Sequence, residues 1–297
     1  MRSIQMWQAS AVLNRSPAGH HMGFDYSLNP YRGCSHACRY CYAREFHTYL
    51  DLGVGEDFEK KLFVKENLAS RLHAELRKLP AEGVIAIGTA TDPYQPLEGR
   101  HKLTRSALEL LLESGHAFTV TTKSPLIERD LDLLAVMGQR GQAGVHVSLM
   151  SLDRGLIHAM EPGTSMPERR LATVQKLREA GIPVGIFVAP IIPELGDDPA
   201  DLEALFRAVH EAGADWIMSS TTRLSPAIRE YFIQEVSALD ASAGERLRKL
   251  YGPSQYVDAA YRRVLTRHLD RLYARYGISR HAPRLKPHRV EEQITFF

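Results

Sequence analysis

Cysteine is scarce in this 297-residue chain: there are three, all between positions 34 and 41. An odd number set this closely excludes a disulfide framework and leaves no second pair for a two-pair zinc site. Apolar runs of membrane-spanning length are missing too, so no helical span and no membrane partner are expected. Residues 1–19 lack the apolar core of a secretory signal, and the expected location is the cytoplasm, which suits reduced thiols. Nor is there an excess of one charge. Lys and Arg number 37 and Asp and Glu 35, a net of +2, which by itself implies no partner. An apolar content of 44% is enough for a sizeable core.

What is present concentrates in Asn29-Pro30-Tyr31-Arg32-Gly33-Cys34-Ser35-His36-Ala37-Cys38-Arg39-Tyr40-Cys41-Tyr42-Ala43-Arg44. Cys34, Cys38 and Cys41 form C-x3-C-x2-C. Three convergent thiolates leave a metal centre one ligand short, and an open position is what a catalytic site keeps. This spacing, with an aromatic residue (Tyr40) just before the last cysteine, resembles the signature of the radical SAM enzymes. The resemblance implies a [4Fe–4S] cluster on Cys34, Cys38 and Cys41, with S-adenosylmethionine (SAM) chelating the fourth iron. It also implies reductive cleavage of SAM to a 5′-deoxyadenosyl radical that abstracts hydrogen, and an electron donor of flavodoxin or ferredoxin type. The alternative is zinc with His36 as fourth ligand, or an iron–sulfur protein that binds nucleic acid or senses redox state.

Pattern along the chain agrees with a β/α architecture. Residues 1–22 read as an irregular arm. Residues 24–28 alternate as a first strand that runs into the cysteine loop, and 84–87, 117–122, 144–149, 183–189 and 215–219 read as five more. Helical spacing covers 46–52, 62–79, 104–114, 126–137, 167–180 and 198–212. Six alternating units imply parallel β/α pairs, and the radical SAM resemblance implies that they form a partial (β/α)6 TIM-type barrel over 23–223, with a C-terminal helical extension over 224–280 and an extended tail over 281–297. Such a barrel puts its chemistry at the C-terminal strand ends.

The segments Gly88-Thr89-Ala90-Thr91-Asp92-Pro93-Tyr94-Gln95-Pro96-Leu97-Glu98 and Thr122-Lys123-Ser124 narrow the resemblance to the branch around spore photoproduct lyase, which reverses a UV-induced thymine dimer in DNA. That likeness spans about residues 28–197. It implies SAM contacts from Thr91, Lys123 and Ser148, with Tyr40 and Asp92 beside them. Lys123 offers a cation to the methionyl carboxylate, and the two hydroxyls offer hydrogen bonds. Asp92 has a second reading, in which it orients a neighbour. The chain departs from the branch at Thr89, where the lyases carry a cysteine that returns hydrogen to the product. Thr89, Tyr42 and Tyr94 are the catalytic candidates in its place.

The C-terminal stretch is basic. Residues 262–289 hold nine cations against Asp270 alone. Helical spacing over 256–276 lines up Arg263, Arg267, Arg271 and Arg275, read either as a solvated face or as a surface that tracks DNA phosphates. The terminal Gln293-Ile294-Thr295-Phe296-Phe297 resembles the peptide by which bacterial repair proteins dock on the sliding clamp, with Gln293, Ile294, Phe296 and Phe297 as contacts. DNA is the first substrate expected, by lesion repair or base modification. A peptide, an RNA or a small molecule is the alternative for the same radical.

Overall fold

The computed structural model describes residues 2–16, 23–80 and 82–286. The described residues form ten strands, the first four in succession and the rest separated by helices: β1 Ser3–Trp7, β2 Leu13–Arg15, β3 Tyr26–Leu28, β4 Tyr31–Arg32, β5 Lys61–Lys65, β6 Ile85–Ile87, β7 Phe118–Thr122, β8 Ala143–Ser148, β9 Val184–Ile191 and β10 Trp216–Thr221. The main sheet has the order β10-β9-β8-β7-β6-β3-β2. Its six strands from β3 to β10 pair in parallel, and β2 closes one edge antiparallel. The sheet is curved but not closed, a partial barrel with helices outside.

Both faces of the strands are buried, for different reasons. Val120, Val145, Val147, Ile186, Val188 and Ile217 join one core with helix residues such as Leu108, Leu111, Val174, Leu177 and Phe206. Their neighbours in sequence turn to the inner face. There the register sets Thr121 beside His146, His146 beside Gly185, and Gly185 beside Trp216. A β-carbon at position 185 would lie 2.2 Å from the indole, so only glycine lets Trp216 fill that layer. Ile217 N donates to Ser279 O at 2.9 Å and Lys286 N to Gly141 O at 2.8 Å. The described part of the tail therefore docks on the barrel instead of leaving it.

Two expectations are corrected. The N-terminal arm is not irregular, because β1 and β2 are strands. Residues 62–79 are not one helix: β5 pairs in parallel with β1 and antiparallel with β4 in a second, three-stranded sheet, and the helix is Leu68–Leu76. The helices after residue 224 (Pro226–Leu239, Ala241–Tyr251 and Ala259–Tyr276) are no appendage. Phe232, Val236, Leu247 and Tyr251 share one apolar cluster with Cys38, Tyr40, Met150 and Met160. Among the described residues no helix is long and apolar enough to cross a membrane.

Gly185→Ala should lower stability by about 1–3 kcal/mol through overpacking. In urea unfolding, pairing it with Trp216→Leu should recover part of that loss, a non-additivity that two unconnected sites would not show.

Candidate active site

The cysteine loop leaves β4 through Gly33, which has a φ of +75°. A β-carbon there would meet Phe58 O at 2.8 Å and Leu62 Cδ2 at 2.9 Å. Cys34 N then donates to Phe58 O at 3.0 Å and Arg39 N to Met160 O at 2.9 Å. From the far side Gly163 N donates to His36 O at 3.0 Å, so close that a β-carbon on residue 163 would sit 2.2 Å from Ser35 O. Beneath the loop lies the fully buried Arg44 guanidinium. It donates to the carbonyls of Ala37 (3.0 Å), Cys38 (2.8 Å), Val54 (3.0 Å) and Gly55 (2.8 Å), and to Glu59 at 2.9 Å. The Phe58 and Tyr231 rings cover it at 5.2 and 4.8 Å.

Cys34 and Cys38 are buried, Cys41 is half-buried, and none is in a disulfide. Burial pushes Cys34 up to about 12 and Cys38 higher still, and the thiols disfavour one another's ionisation. Among the described residues no group of three His, Cys, Asp or Glu side chains is arranged to hold a metal ion. Three thiols on one short loop are the donor type that an iron–sulfur cluster takes, and a bound cluster would hold them as thiolates.

Asp92, after β6, organises the underside. Its Oδ1 accepts from Tyr94 N (2.8 Å) and Thr122 Oγ1 (2.7 Å), and its Oδ2 from Lys123 N (2.7 Å). His36 Nδ1 lies 3.2 Å from Oδ2, within ion-pair range but off the hydrogen-bond axis. Burial alone would raise this carboxyl; His36 and the donors outweigh that and hold it at about 2. Three donors and His36 leave few of its lone-pair positions free, an arrangement in which Asp92 orients Thr122 and the Lys123 backbone. Thr91 is similarly engaged. Its hydroxyl donates to Gly33 O at 2.7 Å and accepts from Gln95 Nε2 at 2.8 Å, which leaves only a lone pair for a ligand.

A buried chain runs along the other wall. The Tyr40 hydroxyl donates to Glu161, Glu161 pairs with Arg170, and Arg170 Nη1 donates to Ser148 O at 2.9 Å. Lys123 Nζ stands 5.8 Å above the Tyr40 ring. Burial works against this cation, yet Cys38 and Glu161 raise its pKa overall. Tyr40 and Lys123 thus lie beside Cys38, and Ser148 is linked to them through its carbonyl on Arg170. One step below Ser148 on the inner face, His146 stacks on Phe187 at 4.2 Å. Both its ring nitrogens, and Trp216 Nε1, are buried without a partner among the described residues. Burial pulls His146 down to about 3, so the imidazole is neutral.

The catalytic candidates separate. Tyr42 is 51% exposed, and its hydroxyl donates to Thr89 O, so these two meet at the mouth. Thr89 Oγ1 accepts from Asn29 at 3.0 Å. Tyr94 is a correction: its ring is buried in the main core and its hydroxyl donates to Asp130 at 3.0 Å, which removes it from the mouth. Sequence reading gave no role to Arg44 or Arg170 and no definite one to Glu161, since nothing local marks a charged residue as buried. Arg263, Arg267 and Arg271 are exposed, whereas Arg275 pairs with Glu203 at 2.5 Å. The clamp-like residues Gln293, Ile294, Phe296 and Phe297 lie outside the described residues.

A partial barrel with a C-x3-C-x2-C loop at its C-terminal strand ends defines a class. The profile of the Radical SAM superfamily matches residues 28–209, and the chain belongs to that superfamily. An uncharacterized protein of Mycobacterium tuberculosis is 37% identical over 271 residues, 91% of this chain and 79% of its own length. Another, of Methanocaldococcus jannaschii, is 31% identical over 175 residues, 59% of this chain and 63% of its own. A spore photoproduct lyase variant solved with bound AdoMet and dinucleoside spore photoproduct shares the fold, with a TM-score of 0.68 over 94% of this chain and 82% of that one, at 18% identity.

Two outcomes follow from the geometry. Gly163→Ala should displace the Ser35–His36 backbone, so iron bound per protein after reconstitution should fall at least severalfold while far-UV circular dichroism stays native. Asp92 ionises at about 2 folded against 3.8 for the ordinary group, so the stability it lends is present above about pH 4 and lost as pH falls toward 2. Thermal melts of the apoprotein over that window should show this acid limb, and Asp92→Asn should flatten it.

Proposed function

We propose that this protein is a radical enzyme that binds a [4Fe–4S] cluster through Cys34, Cys38 and Cys41, with SAM beside it, and abstracts hydrogen from DNA. What supports the reading is the superfamily match over residues 28–209 together with three cysteines on one short loop, with Tyr40 and Lys123 beside Cys38. When bound, the cluster and SAM supply the 5′-deoxyadenosyl radical. The chain's own residues position and enclose. Lys123 offers its ammonium to the methionyl carboxylate. Glu161 and Arg170 fix the Tyr40 ring and the end of β8, and removing either partner of that buried pair would cost about 3–5 kcal/mol. The apolar cluster around Cys38 and Met150 keeps water from the thiols.

DNA is supported by the exposed Arg263, Arg267 and Arg271, which have no carboxylate partner among the described residues. A base would have to leave the duplex to reach this site, at a cost of a few kcal/mol, least for a damaged base. With Tyr94 buried, the hydrogen donor proposed in place of the missing cysteine is Tyr42, whose hydroxyl reaches the Thr89 backbone.

The test is anaerobic. Reconstituted protein with SAM and dithionite should form 5′-deoxyadenosine, Cys38→Ala should form none, and UV-irradiated DNA should raise the rate. Equal yields from wild type and Cys38→Ala would overturn the radical reading. An unchanged rate with DNA would move the substrate to a peptide, an RNA or a small molecule.

A further inference from the structure

The helices that wall the cysteine loop also form a cleft of about 690 Å³. It opens between Ala241–Tyr251 and the start of Ala259–Tyr276, with Glu194, just past the end of β9, on its rim. It therefore lies at the same end of the barrel as the thiols, and the volume is in the range of a nucleotide-sized ligand.

The charges lining it are of two kinds. Glu194 is neutralised by Arg246 at 2.5 Å. Asp258 caps the following helix, accepting from Ala260 N at 2.7 Å and Tyr261 N at 3.2 Å. Lys249 and Arg262 also line the cleft, are exposed, and have no carboxylate partner among the described residues. The acids are engaged and two cations are left to a ligand.

The third component is an aromatic face. Tyr256 lines the cleft at 50% exposure, and the loop that carries it is braced. Arg229 donates to the carbonyls of Gly252 (3.2 Å), Pro253 (2.9 Å) and Ser254 (2.6 Å). Arg223 donates twice to Gln255 Oε1, at 3.0 and 2.8 Å, and lies 5.6 Å from the Tyr256 ring. A large, exposed aromatic ring held this firmly is pre-organised, so stacking a ligand on it costs little further ordering.

We propose that this cleft binds a nucleotide unit, its phosphate on Lys249 and Arg262 and its base on Tyr256. A base–aromatic stack beside free cations is how single strands are held without sequence preference. The inference deepens the nucleic-acid reading above and rests on it: a strand anchored here runs along the barrel end that carries the thiols.

The experiment uses the full-length reconstituted protein and a fluorescein-labelled twelve-nucleotide thymidine strand, followed by anisotropy over a salt series. Lys249→Ala with Arg262→Ala should weaken binding at least tenfold and lower the salt slope by about 1.4, two contacts at about 0.7 each. Tyr256→Ala should weaken it about five- to hundredfold, and Tyr256→Phe should restore it, because the ring and not the hydroxyl stacks. Competition with thymidine monophosphate separates the sources. Displacement at matching concentrations assigns a free nucleotide, and failure to displace assigns the strand. If the cleft variants bind as wild type while Arg263→Ala with Arg267→Ala does not, phosphates follow the helix face and the cleft proposal is overturned. All cleft variants should keep wild-type 5′-deoxyadenosine formation without DNA, so a failure of strand binding and a failure of the radical reading register in different assays.

Discussion

A single buried guanidinium underlies the site. Arg44 comes three residues after the last cysteine and turns back beneath its own loop, where four carbonyls and Glu59 accept its hydrogen bonds. Burying a cation is costly unless it is paired and fully hydrogen-bonded, and here it is both. Two of the carbonyls, Ala37 and Cys38, belong to the cysteine loop. The other two belong to the Val54–Gly55 turn, and Glu59 lies on the helix that follows it. One side chain thus joins the loop to its floor, and the Tyr231 ring ties that joint to the C-terminal helices. A thiol loop without this anchor would be a surface turn with no fixed spacing between its sulfurs.

Charge is layered inside the barrel. Asp92, Lys123, Glu161 and Arg170 gather at the thiol end, each with opposite charge or donors close by. One strand step deeper the rings are uncharged: a neutral imidazole, an indole and the apolar Phe187 ring. Such a lumen suits a ligand that is ionic at one end and flat and neutral at the other, and electrostatic interactions at the ionic end are strengthened by the lack of water.

The six parallel strands were legible because their apolar runs are local, and all six lie within about two residues of where the sequence places them. The second sheet was not. Ser3–Trp7 is exposed along nearly its whole length, so it shows no alternation, and its partner Lys61–Lys65 merges with the apolar spacing of the helix after it. Both are strands because they pair with each other, which is a tertiary fact. The site divides in the same way. Three cysteines at fixed spacing are a local signal, whereas the places of Arg44, Glu161 and Arg170 depend on partners that only the fold supplies. Tyr94 misled for this reason: its direction is set by Asp130, far along the chain.

The cysteine loop is complete by residue 44, yet its supports come from Phe58, Met160, Gly163 and Tyr231. A chain emerging from the ribosome presents the three thiols long before their walls exist. Until residue 231 and its helix are out, the thiols stand in water, open to oxidation and to adventitious metal. The walls of the loop are thus completed by the last third of the chain, and a shortened product ending before that helix would carry the motif without the chamber.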